Sequence, residues 1–219
     1  MKRFLSLCTL ILGGSATAAE PWICTQVGTK LEYGVAMEDR SSGTTTNEVM
    51  SYADGMVTLR IEEPEQTRTE HWMVLPTVTQ LCMEIPQQIY EMLRSHGLER
   101  IRISTHDMKL PASMKPGDRF RGPGFKITGR KDGKRVVVSA VSTPVRVIRE
   151  ERITTPAGTF NAVLVELRSV VSAFREMPKR MHIFRWYTPG IGLLREEITT
   201  NTTGLAVTTV QELKKIVKP

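Results

Sequence analysis

Four histidines, three cysteines and three adjacent glutamate pairs are the groups in this 219-residue chain best suited to chemistry. His71, His96, His106 and His182 are scattered, and none falls in the HxxxH or HExxH spacing that puts two imidazoles on one helix face for a metal. Glu62-Glu63, Glu150-Glu151 and Glu196-Glu197 are neighbours. On a strand, neighbours face opposite sides, so no such pair converges on one substrate. Carboxylates from distant strands could still combine, as in a glycosidase, but nothing in the sequence selects them. A Gly-x-Ser-x-Gly nucleophile turn, a phosphate-cradling glycine loop and an Asp-x-Asp-x-Asp-Gly calcium loop are all absent. The expectation is no catalytic residue, no metal and no cofactor, with a motif-free hydrolase as the last alternative.

The start of the chain sets the chemistry open to the cysteines. Lys2 and Arg3 precede an apolar run, Phe4 to Leu12, and Ala16-Thr17-Ala18 has the small-x-small form of a signal-peptidase site. Residues 1–18 therefore read as a signal peptide, with the mature chain beginning at Ala19 and sent to the periplasm or beyond. The apolar run is well short of the roughly twenty residues that span a bilayer. No transmembrane segment is expected after cleavage; a retained anchor is the rival reading. Cys8 sits behind Leu7 inside the run, which argues against a lipoprotein. Cys24 and Cys82 then remain in an oxidising compartment. A bridge between them would stabilise by about 4 kcal/mol in the chain-entropy model. The alternative is two separate buried thiols.

Charge is the best lead to a partner. Of 30 basic and 23 acidic residues, Lys2 and Arg3 belong to the signal, leaving a net of +5. Between Lys109 and Arg135 nine basic residues face only Asp118 and Asp132, so this segment is +7 and the rest of the mature chain −2. The bland reading is a solvated hairpin around Asp132-Gly133. The functional one is contact of Arg130, Lys131, Lys134 and Arg135 with an anionic partner: lipid headgroups, an acidic envelope polymer or another envelope protein. Phe120 and Phe125, set among the charges, could dip into such an interface. Nucleic acid is a poor partner for an exported chain.

The elements that must hold these groups are mostly strands. Turn signals recur at short intervals: Asp54-Gly55, Pro116-Gly117-Asp118, Asp132-Gly133, Pro156-Ala157-Gly158, Pro189-Gly190 and Asn201 to Gly204. Hairpins are expected at Thr44–Tyr52 with Met56–Glu62 and at His182–Tyr187 with Leu193–Thr199. Val163, Val165 and Leu167 share one strand face, Glu166 and Arg168 the other. Val136-Val137-Val138 reads as a run covered on both faces, Trp72 as core, and Leu205–Val217 as a final strand. Pro86 to His96 carries Ile89, Met92 and Leu93 at helical spacing and stops at Gly97, predicting one short helix across the open face or mouth of the sheet. The fold class is mainly β: a strongly curved antiparallel sheet or barrel-like sandwich forming one domain over 19–219.

Two stretches suggest kinship. Ile153-Thr154-Thr155-Pro156-Ala157-Gly158-Thr159-Phe160 and Trp186-Tyr187-Thr188-Pro189-Gly190-Ile191-Gly192-Leu193 together resemble the "TPAGTF … WYxPGxGLV" signature of an exported bacterial family of unknown function, TapB-like. The resemblance runs over roughly Leu31 to Leu213 and weakens in the basic stretch Arg119 to Arg135. It implies an exported, nearly all-β domain and transfers no catalytic residue. Pro156, Gly158, Pro189, Gly190 and Gly192 read as turn formers, with Phe160 returning to the core and Trp186 and Tyr187 on opposite faces. The function expected is a non-enzymatic exported protein binding an apolar or amphiphilic ligand or an envelope partner. A structural or assembly role is the alternative. An apolar cavity would favour the carrier, a filled interior the scaffold.

Overall fold

The computed structural model describes residues 19–38, 40–85, 87–172, 178–202 and 204–219. Residues 1–18, expected to be a signal peptide, and Pro86 lie outside them. Fifteen strands and one helix follow in chain order. The first five are β1 (Lys30–Met37), β2 (Arg40–Ala53), β3 (Met56–Glu63), β4 (Gln66–Leu75) and β5 (Val78–Cys82). The helix α1 (Gln87–Ser95) precedes β6 (Glu99–His106), β7 (Met108–Pro111), β8 (Arg119–Phe120), β9 (Gly124–Lys131) and β10 (Lys134–Ser142). The chain ends in β11 (Val145–Thr155), β12 (Gly158–Ser172), β13 (Lys179–Thr188), β14 (Gly192–Thr202) and β15 (Leu205–Val217).

All the strands join one antiparallel sheet in the order β6-β9-β10-β12-β13-β14-β15-β1-β2-β3-β4-β5-β7. The sheet forks at β12, which pairs with β11 over its first half and with β10 at its end. The body, from β12 round to β7 with β11 and β8, curls into a nearly closed barrel. The curl brings β7 against β13, where Met108 Sδ accepts from Arg185 Nη1 at 3.4 Å. Period-two patterning drives this: Val57, Leu59 and Ile61, then Val163, Val165 and Leu167, are buried on the inner face. The remaining strands, β6, β9 and β10, form a lobe with its own small core of Leu93, Leu98 and Ile127.

The expected hairpins form. Asp54 and Gly55, and again Asp132 and Gly133, take positive φ at both turn positions, the mirror-image turn whose twist suits adjacent strands. Leu205–Val217 is the final strand, Trp72 is core, and Trp186 and Tyr187 face opposite sides, the first bonding Glu151 outside and the second buried inside. Phe160 packs half-buried against the main core.

Four expectations are corrected. Cys24 and Cys82 are free thiols. Cys24 is buried in the core, whereas β5 alternates Thr79 and Leu81 inward with Gln80 and Cys82 outward, so the sheet separates the sulfurs. The helix does not cover the barrel mouth: Leu93 packs on the lobe, and Gly97 ends α1 with its N–H bonded to Arg94 O at 2.8 Å. Val136 to Val138 is covered on one face only, since Val137 is 40% exposed. Phe120 and Phe125 are half-buried and pack against the main and lobe cores instead of standing out among the charges.

One end of the barrel is closed by the segment before β1. Trp22 N–H donates to Thr79 Oγ1 at 3.1 Å and its indole to Pro111 O at 2.7 Å. Gly190 N–H reaches Pro21 O at 2.7 Å, and Gly28 N–H reaches Val49 O at 2.8 Å. Trp22, Ile23 and Cys24 thus form a buried plug tied to β5, β7, β2 and the β13–β14 turn. Gly192, at φ +102°, is part of this fit: a Cβ there would meet Trp22 O at 3.2 Å.

Candidate functional site

Inside the barrel the inner face changes character along its length. Next to the Trp22 plug it is apolar, with Ile23, Leu31 and Leu59. Towards the β3–β4 turn it becomes polar, around a cavity of about 150 Å³ lined by Tyr33, Asn47, Glu63, Arg68, Glu70, Trp72, Arg185, Tyr187, Glu196 and Gln211 among others. Each charged group stands where its strand's parity points inward. Glu63 continues Val57-Leu59-Ile61 on β3, Glu70 precedes Trp72 on β4, and Arg185 lies between Ile183 and Tyr187 on β13.

Exposure grades from rim to interior. Side-chain accessibility is 42% at Arg68, 28% at Glu63, 22% at Glu70, 21% at Arg185 and 13% at Glu196. Arg68 bridges Glu63, at 3.2 Å, and Glu70. Glu70 also accepts the Trp72 indole N–H at 3.2 Å. Arg185 pairs with Glu196, while Tyr33 OH donates to Leu193 O at 2.9 Å. Burial raises the pKa of Tyr33, with Tyr187, Cys24 and Glu70 adding to it. Burial raises Tyr187 as well, so both phenols stay neutral. For Arg185 burial opposes the charge, but the Glu196 carboxylate and Tyr187 outweigh it. Asn47 Oδ1 is enclosed and receives no hydrogen bond.

Sequence reasoning rejected the glutamate pairs because neighbours diverge, and they do: Glu196 faces in while Glu197 bonds Arg195 outside. What it missed is that single members of different pairs meet across the barrel. The available signal was an inward parity occupied by charge, at Glu70 beside Trp72 and at Arg185 beside Tyr187.

The basic segment is dispersed. Lys109 lies on β7, opposite Gln80, and Arg119 on β8, opposite Arg146. Arg130, Lys131, Lys134 and Arg135 are exposed at the tip of the β9–β10 hairpin, with Arg130 opposite Arg135 and Lys131 opposite Lys134. Alternation splits the four. Lys131 and Lys134 face the helix side, near Gly97, whereas Arg130 and Arg135 face outward with Lys126. Register adds Arg102, opposite Thr128, and Arg180, opposite Val170, to that outer face. Val137, Val141 and Val170 lie on it too, 40%, 60% and 40% exposed. Among the described residues none of these five cations is in an ion pair.

Pro156 and Gly158 join β11 to β12, and Pro189, Gly190 and Gly192 join β13 to β14. Among the described residues no group of three His, Cys, Asp or Glu could hold a metal ion, and no helix is long and apolar enough to cross a membrane.

With this geometry in hand, kinship can be judged. A family model described as DUF3108-like matches residues 77–210, more than half of the sequence and both motif stretches. The chain belongs to the DUF3108-like family. No curated protein matches the sequence. Two solved structures share the fold of this DUF3108-like chain. One, from Bacteroides fragilis NCTC 9343, is described as a candidate exported protein with a YmcC-like fold; identity is 14%, the TM-score 0.64, and 91% of this chain and 100% of that one are covered. The other, from Parabacteroides distasonis ATCC 8503, is described as a candidate lipoprotein, with 14% identity, a TM-score of 0.62 and coverage of 92% and 100%. At such identity the likeness concerns the fold alone.

Proposed function

We propose that this DUF3108-like chain is an exported, non-enzymatic protein that docks onto an anionic membrane surface through the outer face of β9, β10 and the end of β12. Export is supported by the Lys2-Arg3, apolar, Ala16-Thr17-Ala18 start and by the descriptions of the two structural relatives. Leu31, Val57, Val163 and Leu213 pack in the barrel's core, and the interior cavity of about 150 Å³ is small for a lipid, which favours binding at the surface.

One observation carries the docking reading. Arg102, Lys126, Arg130, Arg135 and Arg180 share a face with the uncovered Val137, Val141 and Val170. Arg130 stands directly opposite Arg135, a like-charge pair, with Glu99 across it on β6. Near an anionic membrane each such residue contributes about 1 kcal/mol, with a reach of about 8–10 Å in ordinary salt. The valines supply the apolar contact that charge alone lacks.

The test is co-sedimentation with phosphatidylglycerol-containing vesicles. Wild type is expected to bind at low salt and release at high salt. The triple variant Lys126→Glu, Arg130→Glu, Arg135→Glu should lose binding, while Lys131→Glu with Lys134→Glu, on the helix side, should lose less. Wild type that ignores anionic vesicles at low salt overturns the reading, as does equal loss in the two variants.

A further inference from the structure

We propose that the polar end of the barrel interior is a binding site for a small organic ammonium ion, independent of the docking face. Five charged side chains occupy inward positions that apolar residues could fill. Replacing an enclosed ion pair by packed apolar groups is often neutral or stabilising, so folding alone does not account for Arg185 with Glu196. The set is also unbalanced: Glu63, Glu70 and Glu196 face only Arg68 and Arg185. Both guanidiniums are already paired with carboxylates, and the set as a whole carries one excess negative charge, which favours a cation over an anion.

The acceptors, by contrast, have capacity left. Asn47 Oδ1 is enclosed without a donor. Among the contacts within the wall, Glu196 receives only Arg185. A carboxylate can accept several hydrogen bonds, and a primary ammonium brings three donors. Trp72, Tyr33 and Tyr187 add π faces, which attract cations. A cavity of about 150 Å³ suits an ion of a few heavy atoms.

The probe is n-butylammonium, with butanol and butyrate as controls, followed by calorimetry on the mature protein. Wild type should bind butylammonium saturably and neither control. Asn47 belongs to no ion pair, so it can be changed in both directions. Asn47→Leu should weaken binding about tenfold or more, and Asn47→Asp, which adds a carboxylate at the same place, should tighten it. A merely structural disturbance would weaken both. No saturation by about 10 mM butylammonium, equal binding of butanol, or weakening by Asn47→Asp would overturn the proposal.

Discussion

Gly158 opens β12 at φ +140°, outside the conformations a side chain tolerates, although a Cβ there would meet nothing closer than Phe160 at 3.5 Å. The demand is conformational and not steric. Gly158→Val is therefore expected to destabilise by about 1–3 kcal/mol, read as a lowered denaturant midpoint with an unchanged slope. Arg185 and Glu196 pose a different question, because each is held by the other. Arg185→Met should cost about 1–3 kcal/mol by leaving an enclosed carboxylate unpaired. Arg185→Met with Glu196→Leu should recover most of it, and a double variant less stable than the single would show that the pair itself stabilises the barrel. At this scale the sequence was readable where a rule is local. Trp186 and Tyr187 had to diverge, and Gly158 had to turn. The convergence of Glu63, Glu70 and Glu196 was not readable, because it depends on which strands face each other across the interior. The same reason defeats the Cys24–Cys82 bridge: a count of two cysteines says nothing about the sheet between them.

Hairpins, being contiguous, were legible as elements. Asp54-Gly55, Asp132-Gly133 and Pro189-Gly190 each fix a turn from a few residues, and the strands on either side follow by alternation. The helix over Gln87–Ser95 was legible too, from Ile89, Met92, Leu93 and Gly97. Its position was not, because β6 pairs with β9 and β10 with the far end of β12, long-range choices that no local pattern encodes. The plug before β1 gave no sequence signal beyond a tryptophan close to the expected cleavage site. Its weight can be measured. Trp22 is 4% exposed and ties β5 to β7, so Trp22→Ala is expected to cost about 3–5 kcal/mol by thermal or chemical unfolding. A loss below about 1 kcal/mol would show that the barrel end closes without it.

For the whole molecule, the charge excess noted between Lys109 and Arg135 becomes meaningful only after folding. The curled sheet sends Lys109 and Arg119 elsewhere and recruits Arg102 and Arg180 from outside the segment, so a stretch of sequence turns into a face of different membership. The central claim is that this face, and not another, meets an anionic membrane. The most direct measurement places an environment-sensitive fluorophore at Val137→Cys or, as a control, at Met50→Cys on β2. Met50 is 44% exposed and lies across the barrel from the lobe. Both are made with Cys82→Ser so that the half-buried native thiol does not react. The account predicts a blue-shifted emission from position 137 on anionic vesicles, reversed by salt, and none from position 50. No shift at 137, or equal shifts at both positions, would contradict it.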